Sequence, residues 1–328
     1  MPSYESKLFL WGGLAVCASG LLWFFPGLNA LLSVAAIAGL TLVVTRLGYF
    51  RAIFVSILGL ILVTLESSVF LGPLFGVMNG AIFAAAVISP GIAMGAASRN
   101  FASPIKTVWY GFIPILVLFA LILVFYGSVV NNIPSLLRQV NAAMVMNIDN
   151  NPLLAKTLFG SDTGAREKFL DEFDKSIVFF IKIMPGTIVV GYLTIVILSL
   201  ILAGNIGSRI GVMLPRFRPF YLWRASDWWL LPTAAGLALV IFGPNELWQY
   251  TGGNILVVTG NIYAVAGMAV TESFFRRLAI PNFMRIVFYV IMLLLFVAGL
   301  VFLAALGLAD SRFNFNRDVL DRDDKNIE

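Results

Sequence analysis

Four polar side chains interrupt stretches of the sequence that are otherwise apolar, and their types suit ligand binding. They are Glu66, Asn79, Asn261 and Tyr263. A carboxylate, two carboxamides and a phenol can hold a polar small molecule, and burying such groups in hydrocarbon without partners is costly. The pattern predicts one outward-facing ligand-binding pocket. The alternative interpretation is that each group only hydrogen-bonds to a neighbouring helix or reaches the interface.

The chain lacks the residues on which most enzyme chemistry depends. It has no histidine and one cysteine, Cys17, so it lacks the commonest metal ligand and cannot build an internal disulfide or a multi-thiolate metal site. It contains no GxxxxGK[ST] phosphate loop and no nucleophile elbow. We therefore expect no catalytic residue, no bound metal and no cofactor. If the chain takes part in transport, a separate protein must supply the energy.

The elements that must position these side chains are long apolar stretches. Hydrophobic residues make up 60% of the chain, charged residues 12%, and the mean hydropathy is +0.93. A helix needs about 20 mostly apolar residues to cross a bilayer. Nine stretches approach that length, near residues 8–25, 27–45, 52–71, 76–97, 105–127, 177–203, 227–243, 254–275 and 286–309. The sequence predicts an all-α integral membrane protein with about nine transmembrane helices in one polytopic domain, residues 1–309, or eight as the alternative.

Basic residues are sorted between the alternate gaps that separate these stretches. If Lys7 is cytoplasmic, twelve Lys and Arg residues fall in inner gaps and none falls in the short outer gaps. This bias is the strongest orientation signal in a sequence. The inner residues are Lys7, Arg46, Arg51, Arg99, Lys106, Arg209, Arg216, Arg218, Arg224, Arg276, Arg277 and Arg285. The pattern predicts a multi-pass membrane protein with a cytoplasmic amino terminus. Nine crossings place the charged tail, residues 310–328, outside, and eight place it inside.

The gap at residues 128–176 is long, polar and predicted to be extracytoplasmic. Near its end, phenylalanines recur at the spacing of a helix face, and oppositely charged residues lie four apart. The phenylalanines are Phe169, Phe173 and Phe180, and the charge pairs are Lys168/Glu172 and Asp171/Lys175. This pattern predicts an amphipathic helix that leads directly into the sixth apolar stretch.

Proline–glycine pairs interrupt two of the apolar stretches. Pro90–Gly91 lies in the fourth stretch and Pro185–Gly186 in the sixth. Proline lacks a backbone N–H and breaks the hydrogen-bond ladder of a helix. Broken helices can mark substrate sites in transporters, but many proline kinks are only structural. Both interpretations stay open for both pairs.

The inner gap after residue 204 combines basic and aromatic residues. Arg216, Arg218 and Arg224 suit anionic lipid, and Trp223 suits the headgroup layer. Asp227 is spaced to pair with Arg224. We expect these residues to contact membrane lipids, or alternatively to dock a cytoplasmic partner. Since the basic residues are scattered and form no single stripe, nucleic acid is not an expected partner.

Short motifs in the second half resemble the YybS-like family of predicted bacterial membrane proteins. The motifs are Asn205–Arg209, the string Phe220, Trp223, Arg224, Trp229 and Pro232, and the closing Leu306, Gly307, Leu308, Asp310, Phe313 and Phe315. The resemblance extends over roughly residues 50–317. That family is similar in organisation to the substrate-binding membrane subunits of energy-coupling-factor transporters. The resemblance implies a helical ligand-binding fold without an ATPase of its own.

Two functions are therefore expected. The first is a small-molecule binding and transport component that works with a separate energy-coupling protein. The second is a non-transporting membrane scaffold or regulator in envelope assembly. A scaffold predicts sealed apolar packing and an inner surface that contacts other proteins, whereas a transport component predicts a polar pocket that water can reach.

Overall fold

The computed structural model of the protein describes residues 2–23, 25–131, 146, 163–295 and 297–315. Every regular element in these ranges is a helix, which confirms the predicted all-α class. The chain divides into two compact units, and each is described by itself. The first unit is Met1–Leu123 with Gly191–Arg218, and the second is Val124–Val190 with Pro219–Glu328. Most of the predicted outer segment and the tail beyond residue 315 lie outside the described residues.

The helices of the first unit are joined by short loops. Its complete helices are α1 (Pro2–Leu21), α2 (Pro26–Leu47), α3 (Tyr49–Leu71), α4 (Pro73–Phe83) and α5 (Ser89–Arg99), with a π-helical turn at Ala84–Ile88. Parts of α6 (Pro104–Asn131) and α7 (Thr163–Arg209) complete the unit. Gly48 and Gly72 connect the ends of α2, α3 and α4 with φ of 91° and 97°, a conformation that favours glycine.

Small residues let the helices of the first unit approach closely. The spacing of Gly76, Gly80 and Ala84 predicts a ridge used for internal packing, and the contacts of α4 confirm it. A Cβ atom added at Gly76 would lie 1.9 Å from the Ser68 Oγ, and one at Gly80 would lie 2.5 Å from the Thr64 Oγ1. Larger residues on this ridge would push α4 away from α3.

The second unit contains α8 (Leu230–Phe242), α9 (Glu246–Arg277), α10 (Asn282–Leu294), α11 (Val297–Phe313) and two short 3₁₀ turns, Phe220–Leu222 and Asp227–Trp229. It also contains the first part of α7. Since α7 begins at Thr163 and ends at Arg209, with Pro185 inside it, the predicted amphipathic helix does lead directly into the sixth apolar stretch. The Lys175–Asp171 pair forms at 2.6 Å, and the Phe169 and Phe173 rings stack.

The last apolar stretch is two helices, because α10 and α11 meet with a bend of 114°. Helix α11 runs parallel to α9: Gly307 contacts α9 at Tyr263 and Gly267, and further along the ring of Phe315 lies 6.2 Å from that of Phe274. The Nη2 of Arg277 donates to the Phe315 carbonyl at 2.7 Å. Both helices therefore finish at the same end of the unit, and α10 and α11 together form one sharply bent pair.

This geometry differs from nine full crossings. The beginning of the tail lies at the end where α9 finishes, as the eight-crossing alternative requires. Among the described residues, five helices are long and apolar enough to cross a membrane, or six if the bent pair is counted as one crossing. Helix α8 has only 13 residues, about 20 Å at 1.5 Å per residue, and so falls short of a hydrocarbon layer of roughly 30 Å.

Candidate functional site

The four residues predicted to line a pocket are divided between the units. Glu66 on α3 and Asn79 on α4 belong to the first unit, and both are half-buried. The Glu66 Oε2 is buried and has no hydrogen-bond partner among the described residues. An uncompensated carboxylate oxygen inside apolar helices is costly, so this group stays a candidate for ligand or water contact.

Asn261 and Tyr263 lie on α9 in the second unit. The Asn261 Nδ2 donates to the Val257 carbonyl of the same helix at 2.9 Å. Tyr263 is 2% exposed and packs with Ala225 and Ala266. Residues two apart on an α-helix point to opposite sides. These two side chains therefore do not line one wall.

A different polar cluster in the second unit joins α7 to the beginning of α9. Glu246, Tyr250 and Asn254 recur every fourth residue and form one stripe on α9, which faces Lys182 and Gly186 of α7. Asn245 holds the start of the stripe, because its Oδ1 accepts from the Trp248 N–H and caps the helix. We call Lys182, Gly186, Glu246, Tyr250 and Asn254 the lysine cluster.

The carboxamide of Asn254 bridges the proline break in α7. Its Oδ1 accepts from the Gly186 N–H at 2.6 Å, and its Nδ2 donates to the Lys182 carbonyl at 2.8 Å. In an uninterrupted α-helix these two backbone groups would bond to each other. A Cβ atom at Gly186 would lie 2.8 Å from the Asn254 carbonyl oxygen. Glycine is therefore needed for the amide to reach the break.

The ammonium of Lys182 lies above this break and is compensated by two side chains of α9. It donates to the Tyr250 hydroxyl and, at 3.3 Å, to the Glu246 Oε2. The Tyr250 hydroxyl in turn donates to the Glu246 Oε2 at 3.1 Å, and the ammonium also lies 3.9 Å from the Tyr250 ring centroid. The Lys182 side chain is 23% exposed and the Glu246 side chain 77%. The lysine side chain is therefore mostly enclosed, whereas its carboxylate partner is mostly exposed to solvent.

The other proline break is closed by an uncharged group. Pro90 cannot donate to the carbonyl of Ala86, four residues earlier, and the hydroxyl of Tyr192 donates to that carbonyl at 2.7 Å. Tyr192 is buried and packs on the ring of Phe112. The π-helical turn at Ala84–Ile88 absorbs the extra residue before the proline. This break offers no charge to a ligand.

The inner-loop residues form a second junction at the other end of the unit. Arg224 donates to the Ser311 carbonyl and forms the predicted ion pair with Asp227 at 3.7 Å. Asp310 is fully buried, and its Oδ1 accepts from the Phe315 N–H at 2.8 Å. The motifs of the inner loop and of the closing segment are therefore in contact. Arg224 therefore makes both of these contacts within the second unit.

The other residues of the predicted inner-loop contact are divided between the units. Arg216 and Arg218 belong to the first unit, and Arg216 is exposed. Trp223 belongs to the second, where its ring meets that of Phe220 at 5.4 Å. Glu272 pairs with Arg276 at 3.0 Å, as its four-residue spacing indicates, and also with Arg285 at 2.9 Å.

Lys182 is absent from the residues predicted on sequence grounds, although a signal for it exists. It is a charged residue inside the sixth apolar stretch and lies three residues before Pro185. An ionisable residue in a crossing indicates function by default. The four-residue recurrence of Glu246, Tyr250 and Asn254 is a second signal. Their pairing with Lys182 is not visible in the sequence, because Lys182 and Glu246 are 64 residues apart along the chain and meet only when α7 packs on α9.

Comparison with known proteins gives one family. A family model described as a predicted membrane protein (DUF2232) matches residues 14–311. No curated protein and no solved structure matches the chain. The matched range includes α2 to α10 completely and reaches Ser311, so it contains the lysine cluster and the contact between Arg224 and Ser311.

Proposed function

The chain belongs to this family of predicted membrane proteins, and on that premise we propose that it is a small-molecule-binding component of a membrane transport system. The ligand site is the lysine cluster. The supporting observation is a lysine side chain, 23% exposed, that is held beside Pro185 in an apolar helix. The resemblance to the YybS-like family, with its likeness to substrate-binding subunits of energy-coupling-factor transporters, agrees with this proposal.

The geometry of the cluster favours a ligand with an acidic group. Among the described residues, Lys182 has one anionic partner, Glu246, whose side chain is mostly exposed. A carboxylate or phosphate of a ligand can take the place of Glu246, while Tyr250 and the ring face continue to hold the ammonium. Exchange of one anion for another keeps the buried cation compensated throughout. The energy for transport comes from a separate coupling protein.

A bacterial cytoplasmic membrane with an inner amino terminus is the proposed location. The twelve basic residues in the inner gaps support this orientation, which places the lysine cluster at the outer end of α7 and α9. Reporter fusions after Arg218 and after Gly252 test it. We expect an inner signal from the first and an outer signal from the second. Identical sides for both would contradict the helix assignment and the outward site.

Glu66 and Asn79 of the first unit are proposed as a separate polar contact for ligand or water. The buried and unpartnered Oε2 of Glu66 supports this. Asn261 and Tyr263 of the second unit are proposed as further ligand contacts, each on its own face of α9. These four residues are secondary to the lysine cluster because none of them holds a charge at a helix break.

Purification from native membranes tests the proposed function. Small molecules released from the protein are identified by mass spectrometry, and uptake of each is compared in cells with and without the gene. We expect an organic acid or phosphate among them whose uptake depends on the protein. Absence of any retained molecule, together with unchanged uptake, would contradict a transport role.

A membrane scaffold is the second candidate, and the inner junction favours it. Arg224 and Arg277 tie the inner loop and α9 to the closing residues Ser311 and Phe315. These hydrogen bonds hold the loop and the two helix ends in a fixed arrangement, which suits a stable contact with another protein at the inner face. Under this alternative, loss of Lys182 leaves the cellular function intact, whereas Arg224→Ala abolishes it.

A further inference from the structure

The first unit carries a groove that the transport proposal does not use. A cavity of about 590 Å³ lies beside the turn between α5 and α6. Its walls are one face of the last two turns of α5 and one face of the first two turns of α6. The lining side chains are Ala93, Ala96, Ala97 and Asn100 on α5 and Ser103, Lys106 and Tyr110 on α6, with Phe101 and Ala102 in the turn.

The groove lies at the end of α5 and the beginning of α6, next to the turn that joins them. At its floor α6 presses on α5, because a Cβ atom at Gly111 would lie 2.6 Å from the Met94 Cγ. On the α5 side the groove is lined by Ala93, Ala96 and Ala97, whose short side chains leave the space unfilled. Two lining residues are aromatic and exposed, Phe101 at 89% and Tyr110 at about half, and the neighbouring Trp109 is also about half exposed. Such a belt is typical of the headgroup layer.

The polar and apolar parts of the groove are segregated along its length. Lys106, Asn100 and Ser103 lie near the turn, and the methyl groups of Ala93 and Ala96 lie deeper along α5. The first N–H groups of α6 also point towards the turn, and the Ser103 Oγ accepts from the Lys106 N–H at 3.4 Å. An anionic group is stabilised there by the ammonium together with the helix amino terminus.

The charge of the unit restricts the choice of ligand. The first unit has eight basic residues and two acidic residues. One acid, Glu5, pairs with Arg51 at 3.6 Å, and the other, Glu66, lies at the far end of α3. Among the described residues, Lys106 has no acidic partner. A headgroup that carries its own ammonium would find no carboxylate in this groove, so a net-negative headgroup fits better.

We propose that this groove binds one anionic phospholipid. The phosphodiester contacts Lys106, with Asn100 and Tyr110 beside it, and the first acyl methylenes lie along Ala93 and Ala96. Free phosphate would gain nothing from the alanine wall, whereas a lipid uses both parts. This inference is independent of the transport proposal and of the lysine cluster, which belongs to the other unit.

Native mass spectrometry of the full-length protein in detergent tests the proposal. Phosphatidylglycerol and phosphatidylcholine are titrated separately. We expect one phosphatidylglycerol to bind more tightly than phosphatidylcholine. Lys106→Gln should weaken that binding on the order of tenfold, as expected for one hydrogen bond to a charged group. Lys106→Arg should restore it, and Lys7→Gln, which removes the same charge elsewhere in the unit, should leave it unchanged.

A second variant separates the groove from general surface charge. Ala96→Leu fills the apolar wall and should reduce phosphatidylglycerol binding while leaving Lys106 in place. The melting temperatures of lipid-free variants check that each is folded. Unchanged binding in Lys106→Gln, or in a folded Ala96→Leu, would overturn the proposal. Competition by soluble glycerophosphate as effective as by the lipid would also overturn it, because the groove would then be a site for free phosphate.

Discussion

The two proline–glycine breaks show how the same dipeptide produces different sites in the two units. At Pro90 the freed carbonyl of Ala86 receives a hydrogen bond from a buried tyrosine hydroxyl. At Pro185 the opened turn is bridged by the Asn254 carboxamide, and Lys182 lies directly beside it. At the first break, one hydrogen bond from an uncharged hydroxyl compensates the carbonyl. The second break carries a cation whose counterion is exposed.

The two units also differ in their balance of basic and acidic residues. In the first unit basic residues outnumber acidic residues by eight to two. In the second unit the described ion pairs join Lys175 to Asp171, Lys182 to Glu246, Arg224 to Asp227, and both Arg276 and Arg285 to Glu272. The first unit is therefore suited to lipid phosphate at its surface, whereas the second uses its charges internally.

The largest effect is expected from Asn254→Leu. The substitution leaves the Gly186 N–H and the Lys182 carbonyl without their bridge, which should lower the free energy of unfolding by about 2–4 kcal/mol. Asn261→Leu is the matched control, since Asn261 bonds only within its own helix, and it should cost well under half as much. Melting temperatures in detergent measure both. Equal losses would show that the bridge contributes nothing specific.

Gly186→Ala should be the next largest effect. The added Cβ would lie 2.8 Å from the Asn254 carbonyl oxygen, so α7 and α9 must move apart, at a cost of about 1–3 kcal/mol. Gly191→Ala on the same helix meets nothing within 4 Å and should stabilise by up to about 1 kcal/mol through helix propensity. Thermal unfolding of the pair checks this difference in sign. A stabilising Gly186→Ala would contradict the close approach.

Tyr192→Phe tests the uncharged break and should have a smaller effect. Loss of the hydroxyl leaves the Ala86 carbonyl without its donor, at a cost of about 1 kcal/mol, the usual scale for one interhelical bond in a membrane. Tyr49→Phe, at a half-exposed ring, is the control and should be neutral. The variant should retain full transport or ligand binding. Loss of activity in a stable Tyr192→Phe protein would show that this break is functional too.

Glu66 should give the smallest change in stability. Since its Oε2 has no partner among the described residues, Glu66→Leu should be neutral or stabilising, as buried ionic groups often are when replaced by apolar ones. Glu66→Gln keeps the shape and removes the charge. If both variants keep the melting temperature and cellular activity, Glu66 is not a ligand contact. Loss of activity in Glu66→Gln with unchanged stability would place it in a second site.

Helix type and the positions of the main apolar stretches were predictable, because hydropathy and length determine them. The number of crossings was not, since α10 is as apolar as a crossing and the sharp bend between α10 and α11 leaves no mark in the hydropathy. Arg224–Asp227 and Glu272–Arg276 were predictable as neighbours in sequence. The lysine cluster was not, because Lys182 and Glu246 meet only through the pairing of α7 with α9. The close contact of Gly267 with α11, which brings Phe315 back to Arg277, is likewise a property of packing.

The occupancy of the lysine cluster in protein purified from its own membranes tests the central claim most directly. Wild-type protein, Lys182→Met and the control Lys175→Met, at an exposed lysine on the same helix, are compared by native mass spectrometry for the small molecule that they retain. We predict equal retention by wild type and Lys175→Met, and at least a tenfold loss in a folded Lys182→Met, because the anion loses its only buried cation in the lysine cluster. Equal retention by all three proteins would contradict a ligand site at the Pro185 break.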